Sequence, residues 1–226
     1  MAAPALALAG SGLAHFELLS PFAGFKLFAV CLPLAVAAFI ASTVALFRTG
    51  AAAENKLRAR AWKGLGLSTV TLTVVLIASA SGFETPVIND ITTDFDDPPA
   101  FVRAATLDGN RGRDMSYPRV FAHSQKVAYS ELGPLRLELP PHEAFEHVRQ
   151  ALGALEGLEV SVADRGLGSI EAQARSRVFH FVDDVVVRVR SEGRGVRIDL
   201  RSRSRDGKGD LGVNAARIES IIEALR

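Results

Sequence analysis

The chain has 226 residues, which allows one or two folded units, and its formal net charge of +1 is too small to indicate a nucleic-acid partner. Its single cysteine, Cys31, excludes an intrachain disulfide. Nearly all acidic residues follow Phe83, whereas the region before it is mostly apolar. The sequence therefore divides into an apolar N-terminal part and a polar C-terminal part.

Two uncharged stretches in the N-terminal part, 27–47 and 64–83, are about as long as a helix that crosses a hydrocarbon core of roughly 30 Å. Ser and Thr hydroxyl groups in the second stretch can donate to preceding carbonyls of the same helix. These residues are therefore compatible with a helix that crosses the membrane. We predict a transmembrane helical hairpin over 27–83, preceded by a tail over 1–26. A cleaved signal peptide is the alternative for the first stretch, but the basic region that such a peptide requires is missing.

The loop between the two stretches, 48–63, is rich in basic residues. It contains Arg48, Lys56, Arg58, Arg60 and Lys63 against Glu54. No Lys or Arg precedes Lys26, so the positive-inside rule places the loop in the cytoplasm and both termini outside. We therefore predict a multi-pass membrane protein whose C-terminal domain, 84–226, lies outside the cytoplasm.

The two predicted spans carry small side chains at intervals of four residues. These are Ala37, Ala41 and Ala45 on the first span and Thr69 and Thr73 on the second. Small faces allow close helix packing in lipid, so a scaffold that pairs with another membrane protein is one hypothesis. With no ionisable residue inside either span, a transport path within the hairpin is not predicted.

Residues 84–134 contain prolines that disfavour helix, and they carry a cluster of carboxylates. The cluster consists of Asp90, Asp94, Asp96 and Asp97. A calcium loop is one interpretation, because carboxylates are hard oxygen ligands, although the spacing does not match an EF-hand. The other interpretation is a solvated linker packed along the domain by Val87, Ile88, Ile91 and Phe95.

The rest of the chain alternates between strand and helix patterns. We predict strands at 135–139, 158–163, 169–175, 177–190 and 195–205, with the fourth bent at Asp183-Asp184. Helices are predicted at 142–155 and 215–225, and glycine-containing hairpin turns at 165–168 and 191–195. This order predicts an α+β fold, in which a curved antiparallel sheet packs against helices in a helix-grip or TBP-like arrangement.

The last predicted hairpin separates apolar from basic side chains by strand alternation. The core side receives Val187, Val189, Val196, Ile198 and Leu200. The opposite side receives Arg188, Arg190, Arg197 and Arg201, followed by Arg203 and Arg205 if the strand stays regular. A charged outer face laddered by cross-strand pairs is one interpretation, and an anion site made of guanidinium groups is the other.

The turn after this strand, 206–209, leads to a helix N-terminus, which favours an anion. This turn lacks the spacing and the hydroxyl residue of a P-loop. Asp210 or Asn214 is expected to cap the helix that follows it. Asp183 and Asp184 are either a catalytic pair with split pKa values or anchors for Arg201 or Arg205. No nucleophile-elbow motif or zinc spacing accompanies them.

Four segments carry a resemblance to a known family. They are 86–94 (PVINDITTD), 98–101 (PPAF), 179–184 (FHFVDD) and 201–214 (RSRSRDGKGDLGVN) with Arg217. In these segments the chain resembles domain-of-unknown-function family 1499, whose members similar to this one often carry membrane helices before the domain. The resemblance implies no reaction and no cofactor. The hypothetical binding residues are Arg201, Ser202, Ser204, Arg205, Gly207, Asp210, Gly212, Asn214, Arg217, Asp183 and Asp184.

The leading hypothesis is a two-span protein of a bacterial inner membrane that displays a non-enzymatic domain on the periplasmic side. Its expected partners are the lipid bilayer and an anionic ligand or a cell-envelope protein, with no cofactor, no metal and no nucleic acid. The alternatives are an envelope enzyme that uses Asp183 or Asp184 as a general base, and the membrane scaffold.

Overall fold

The computed structural model describes residues 2–48, 55–79 and 85–226 of the chain. These residues form two compact units, one made of N-terminal helices and one made of a sheet with helices. The two units have separate clusters of buried apolar side chains.

The N-terminal unit begins with two helices in the region that we predicted to be a tail. They are α1 (Ala2–His15) and α2 (Pro21–Ala29), followed by α3 (Cys31–Arg48) and α4 (Asn55–Ser79). A Cβ atom on Gly10 would lie 2.6 Å from the backbone nitrogen of Phe28, and one on Gly24 would lie 2.7 Å from the carbonyl oxygen of Gly10. Helices α1 and α2 can approach this closely only because both positions are glycine.

The segment Pro21–Arg48 has a mean hydropathy of 2.4, and within the described residues it is the one helical segment that passes as a candidate membrane span. It covers the first predicted span and includes a break between α2 and α3 at Val30. The second predicted span coincides with the later part of α4, but its last residues, 80–83, lie outside the described chain. Because α4 begins at Asn55, part of the predicted basic loop is helical.

Hydroxyl groups in α4 bond within the helix as expected. The Oγ of Ser68 donates to the carbonyl of Gly64 at 2.8 Å, and the Oγ1 of Thr71 donates to that of Leu67 at 2.8 Å. Four small residues of the predicted faces, Ala37, Ala41, Thr69 and Thr73, are exposed on the helical unit. The buried small residues of α3 are instead Cys31 and Ala35.

The C-terminal unit is an α+β fold, as predicted. Its strands are β1 (Asp90–Thr92), β2 (Leu135–Leu137), β3 (Leu158–Asp164), β4 (Ser169–Arg175), β5 (Val182–Glu192) and β6 (Gly195–Ser204). Its helices are α5 (Phe121–Ala128), α6 (Pro141–Ala154) and α7 (Val213–Ala224), with short 3-10 turns at Ala104–Thr106 and Asp108–Asn110. The finer assignment to a helix-grip or TBP-like arrangement stays a prediction.

The six strands form one curved, open antiparallel sheet in the order β1-β6-β5-β4-β3, and β2 also pairs with β6. One face of the sheet packs on α6 and α7. The core there includes Phe145, Val148, Leu152, Ile170, Val185, Val187, Ile198, Leu200, Ile218 and Ile221. The predicted alternation is thus confirmed for the core side of β5 and β6.

Strand β5 differs from its prediction at its beginning. It starts at Val182 rather than at residue 177, and it is not broken at the two aspartates. Asp183 pairs in register with Ala174 and Ser204, and Asp184 pairs with Gln173 and Arg203. Regular pairing keeps the two carboxylates on opposite faces of the sheet.

The second face of the sheet is covered by the irregular chain between β1 and α5. Phe101, Ala104 and Met115 from this segment pack on Val186 of β5. The carboxylate of Glu171 in β4 accepts the backbone N–H groups of Val102, Arg103 and Ala104, each at 2.7 Å. This region is therefore a covering layer of the domain rather than a solvated linker, although Ile88 and Ile91 pack inward as expected.

Candidate functional site

The predicted binding residues are divided between the two faces of the sheet at the end of β6. Arg201, Arg203 and Arg205 face the covering layer, whereas Ser202 and Ser204 face α7. The alternation of strand side chains causes this separation. Arginines and serines that are adjacent in sequence therefore belong to two different polar networks.

Arg201 lies at the centre of the first network and is only 1% exposed. Its guanidinium donates to both oxygens of Asp90, at 2.9 and 2.8 Å, and to the carbonyls of Pro99 and Met115 at 3.1 and 3.0 Å. It also lies 4.8 Å from the centre of the Phe101 ring. Burial raises the pKa of the Asp90 carboxyl, and the Arg201 contact opposes this rise. The donors of Arg201 are thus directed at the protein itself.

Arg205 forms a second paired contact on the same face. Its guanidinium donates to both oxygens of Asp184, at 2.9 and 2.6 Å. The amide of Asn110 donates to the same carboxylate at 2.7 Å. Gly109 lies against this guanidinium, because a Cβ atom there would come within 2.8 Å of Nη1 of Arg205. The predicted pairing of an aspartate with Arg205 is present, and it ties the 3-10 turn to the sheet.

On the opposite face, Asn214 of α7 joins the serines of β6. Its side-chain oxygen accepts from Ser202 at 2.6 Å and from Arg217 at 2.5 Å, and its amide donates to Ser204 at 2.9 Å. Arg217 also donates to Asp183 at 2.7 Å, while burial raises the pKa of that carboxyl. This network holds the first turn of α7 against the sheet.

The glycine-rich turn between β6 and α7 uses a carboxylate of the chain itself as its cap. Gly207 and Gly212 both have positive φ angles, of 84° and 83°. Asp210 accepts the N–H groups of Gly212 and Asn214, each at 2.9 Å. The N-cap residue of α7 is Gly212, and Asp210 rather than Asn214 supplies the carboxylate that accepts first-turn N–H groups, where we predicted an anion.

Arg203 is the arginine of β6 with the weakest contacts. Its side chain is 13% exposed, and its nearest carboxylate is Asp90 at 3.7 Å, which already binds Arg201. Its hydrogen bond to the carbonyl of Ser116 is 3.5 Å long. Burial lowers the pKa of Arg203; Asp90 opposes this change, and the neighbouring charges of Arg201 and then Arg113 add to it.

Arg113 is the residue of this surface that the sequence did not single out. It is half-buried and donates to the main-chain carbonyls of Arg205 and Ser204. The exposed carboxylate of Asp114 offsets part of the charge of Arg203. We call Arg113 and Arg203 the arginine pair. Because Arg113 lies in a segment without periodicity, no sequence pattern could align it with β6.

The remaining arginines of the hairpin form a balanced network near the other end of the face. Arg188, Arg190 and Arg197 bind Asp94 and Asp199 at distances between 2.7 and 3.4 Å. Asp97 adds contacts to Arg188 and Arg190 at 3.1 and 2.8 Å. This matches the predicted paired charges, and guanidinium groups bind Asp94 and Asp97, two of the four carboxylates considered for calcium. Among the described residues, no group of three or more His, Cys, Asp or Glu side chains is arranged to hold a metal ion.

Asp183 and Asp184 cannot act together at one site, because they lie on opposite faces and each binds an arginine. Two surface grooves of this unit lie elsewhere. One, of about 570 Å³, runs along β3 beside α6, and the other, of about 340 Å³, lies between α7 and β2. Neither aspartate lines these grooves.

Comparison with known proteins gives a family but no activity. No curated protein is similar enough to this chain to count as a relative. The crystal structure of TTHA0849 from Thermus thermophilus aligns with 41% of this chain and 91% of its own, with 12% identity and a TM-score of 0.26, which is too low to transfer any property. The profile described as Protein of unknown function (DUF1499) matches residues 90–225, from β1 to the residue after α7. The chain therefore belongs to the DUF1499 family.

Proposed function

We propose that this chain is a membrane-anchored protein whose C-terminal domain binds an anionic group at the arginine pair. The observation that carries the proposal is Arg203, which is mostly buried and, among the described residues, shares its nearest carboxylate, Asp90, with Arg201. A guanidinium in this state gains from an added anion, because a charge-assisted hydrogen bond replaces weak contacts. Arg113 supplies a second guanidinium whose charge acts on Arg203.

The proposed anion site differs from the predicted one in the residues that form it. Arg201, Arg205 and the N-terminus of α7 are each engaged by a carboxylate of the chain. The arginine pair lies on the same face of the sheet as Arg201 and Arg205. The group bound there is a phosphate or carboxylate, either free or on an envelope partner, because these anions match the planar fork of a guanidinium.

Binding can be tested with the full chain in detergent and inorganic phosphate as the probe. Isothermal titration at low salt should give a measurable Kd, and Arg203→Gln or Arg113→Gln should each raise it about ten-fold. Arg136→Gln is the matched control, because Arg136 forms an exposed pair with Glu192. An unchanged Kd for Arg203→Gln, or an equal loss in the control, contradicts the proposal.

The anchoring part of the proposal places the domain in the periplasm of a bacterial inner membrane. The apolar segment Pro21–Arg48 and the excess of basic residues after it support this orientation. A reporter enzyme that is active only in the periplasm should be active when fused after Arg226. Activity of a cytosol-specific reporter at the same position would overturn the orientation, while leaving phosphate binding by the domain open to its own test.

A scaffold role is the second candidate. The exposed small residues of α3 support it, because Ala37 and Ala41 do not contribute to the buried contacts of the helical unit. Crosslinking in membranes should then give partners that Ala37→Leu and Ala41→Leu remove. Val36→Leu is the matched control, because Val36 is exposed and its side chain is already larger than that of alanine. Unchanged crosslinks in the two alanine variants contradict this role.

A further inference from the structure

Helix α5 and the turn before it present one fully exposed face with an unusual composition. At 100° per residue, five exposed positions fall on a single arc of the helix. They are Arg119, Val120, His123, Lys126 and Val127, which we call the α5 face. It contains no acidic side chain.

The opposite side of α5 fixes this face outward. Phe121 and Tyr129 pack on the domain core. Gln125 is fully buried, where its amide donates to the carbonyl of Thr92 at 2.7 Å and its oxygen accepts the N–H of Thr92 at 3.1 Å. Tyr117 donates to the same oxygen at 3.0 Å. Rotation of α5 would break all three bonds, so the α5 face is a fixed surface of the domain.

The two valines of this face are far more exposed than their apolar side chains favour. Val120 is 81% exposed and Val127 is 73% exposed. The two long cations flank them: Lys126 lies 4.7 Å from the centre of the Phe95 ring, and Arg119 donates to the carbonyls of Phe95 and Asp96. In the part of the chain described by the structure, neither cation has a carboxylate partner, so their charges are not neutralised.

We propose that the α5 face docks on the surface of a bilayer that contains anionic lipids. Basic side chains are attracted to anionic headgroups, and the valines can enter the boundary between headgroups and acyl chains. The proposal rests on the membrane anchoring proposed above, because two cations and two valines are too few for stable binding without a tether. It does not depend on the arginine pair.

The test uses the full chain, with Cys31→Ala, reconstituted in vesicles that contain lipids brominated on the acyl chain. A fluorophore is attached at Val127→Cys. With vesicles that are about 30% anionic lipid, we expect its fluorescence to be quenched, and with purely zwitterionic vesicles we expect little quenching. Each basic residue raises the equilibrium constant for binding to such a surface roughly five-fold. Arg119→Gln with Lys126→Gln should therefore lower the ratio of docked to free domain about 25-fold.

Two further labels separate the possible failures. Leu167→Cys, in the turn between β3 and β4, is 61% exposed and serves as the matched control for an exposed apolar position. Ile40→Cys in α3 reports whether the anchor enters the bilayer. Quenching at Ile40 without quenching at Val127 beyond the Leu167 level overturns docking and leaves anchoring intact. Absence of quenching at both Ile40 and Val127 overturns both proposals.

Discussion

Replacing Arg201 tests whether the most buried arginine of the signature segment is structural. Arg201→Met keeps the apolar stem of the side chain but removes the guanidinium, so the Asp90 carboxylate, which is 0% exposed, loses its bidentate partner. Removing one member of a buried ion pair costs about 3–5 kcal/mol. A domain of this size has roughly 5–15 kcal/mol of stability, so we expect the variant to fold and to lose roughly 10 °C in Tm.

The measurement is pulse proteolysis of the full chain in detergent across a urea series, following the band of the C-terminal domain. Arg136→Ala is the control, because its exposed pair with Glu192 should contribute at most about 1 kcal/mol. Adding Asp90→Asn to Arg201→Met should recover part of the loss. Recovery is incomplete because the carbonyls of Pro99 and Met115 still lack a donor.

The same variant makes a prediction about pH. Burial raises the pKa of Asp90, and without Arg201 nothing comparable opposes that rise. In the folded variant the Asp90 carboxyl then binds a proton more tightly than it does in the unfolded chain. The loss in free energy of unfolding caused by Arg201→Met should therefore become smaller as the pH is lowered. A loss no larger than that of Arg136→Ala would refute the structural role and return Arg201 to the candidates for anion binding.

Three further perturbations follow from the same contacts. Burial acts to raise the pKa of Asp94, but N–H groups of Asp97 and Asp96 and nearby arginines outweigh it, so its pKa lies below the ordinary value. Its contribution should be present above about pH 4 and be lost as the pH falls further, and Asp94→Asn should flatten this acid dependence in urea unfolding. Asp210→Ala should cost about 1 kcal/mol through the lost cap of α7, measured in the same way. Glu171→Gln should cost about 1–3 kcal/mol and speed protease cleavage near residue 103, and equal cleavage would contradict the anchoring role.

The strands and helices of the domain core could be predicted because their patterns are local. Apolar residues of α6 recur at helical spacing, and the predicted helix at 142–155 differs from Pro141–Ala154 by one residue at each end. Strand β4 coincides with its prediction at 169–175. Alternation also assigned the valines of β5 to the core side, because side-chain direction in a strand depends only on position along it.

The N-terminal helices carry local signals that the prediction of a tail did not use: α1 is rich in Ala and Leu, and Ser20 caps α2 by accepting the N–H of Ala23, with Pro21 as its first residue. One feature had no local signal. The covering layer lacks periodicity, and its path is set by contacts that are distant in sequence. Glu171 binds N–H groups that precede it by 67 to 69 residues, and Arg201 binds Asp90, 111 residues earlier.

The sequence by itself determined the α+β class, the apolar N-terminal helix and the side of the sheet that carries the arginines, since periodicity and composition encode these directly. It could not determine which arginines are neutralised. That depends on which carboxylates the covering layer brings within about 3 Å, and Coulomb attraction at such distances varies steeply with position and burial. Only the tertiary structure therefore distinguished Arg201 and Arg205, which are held by Asp90 and Asp184, from Arg203, which lies 3.7 Å from an Asp90 carboxylate that already binds Arg201.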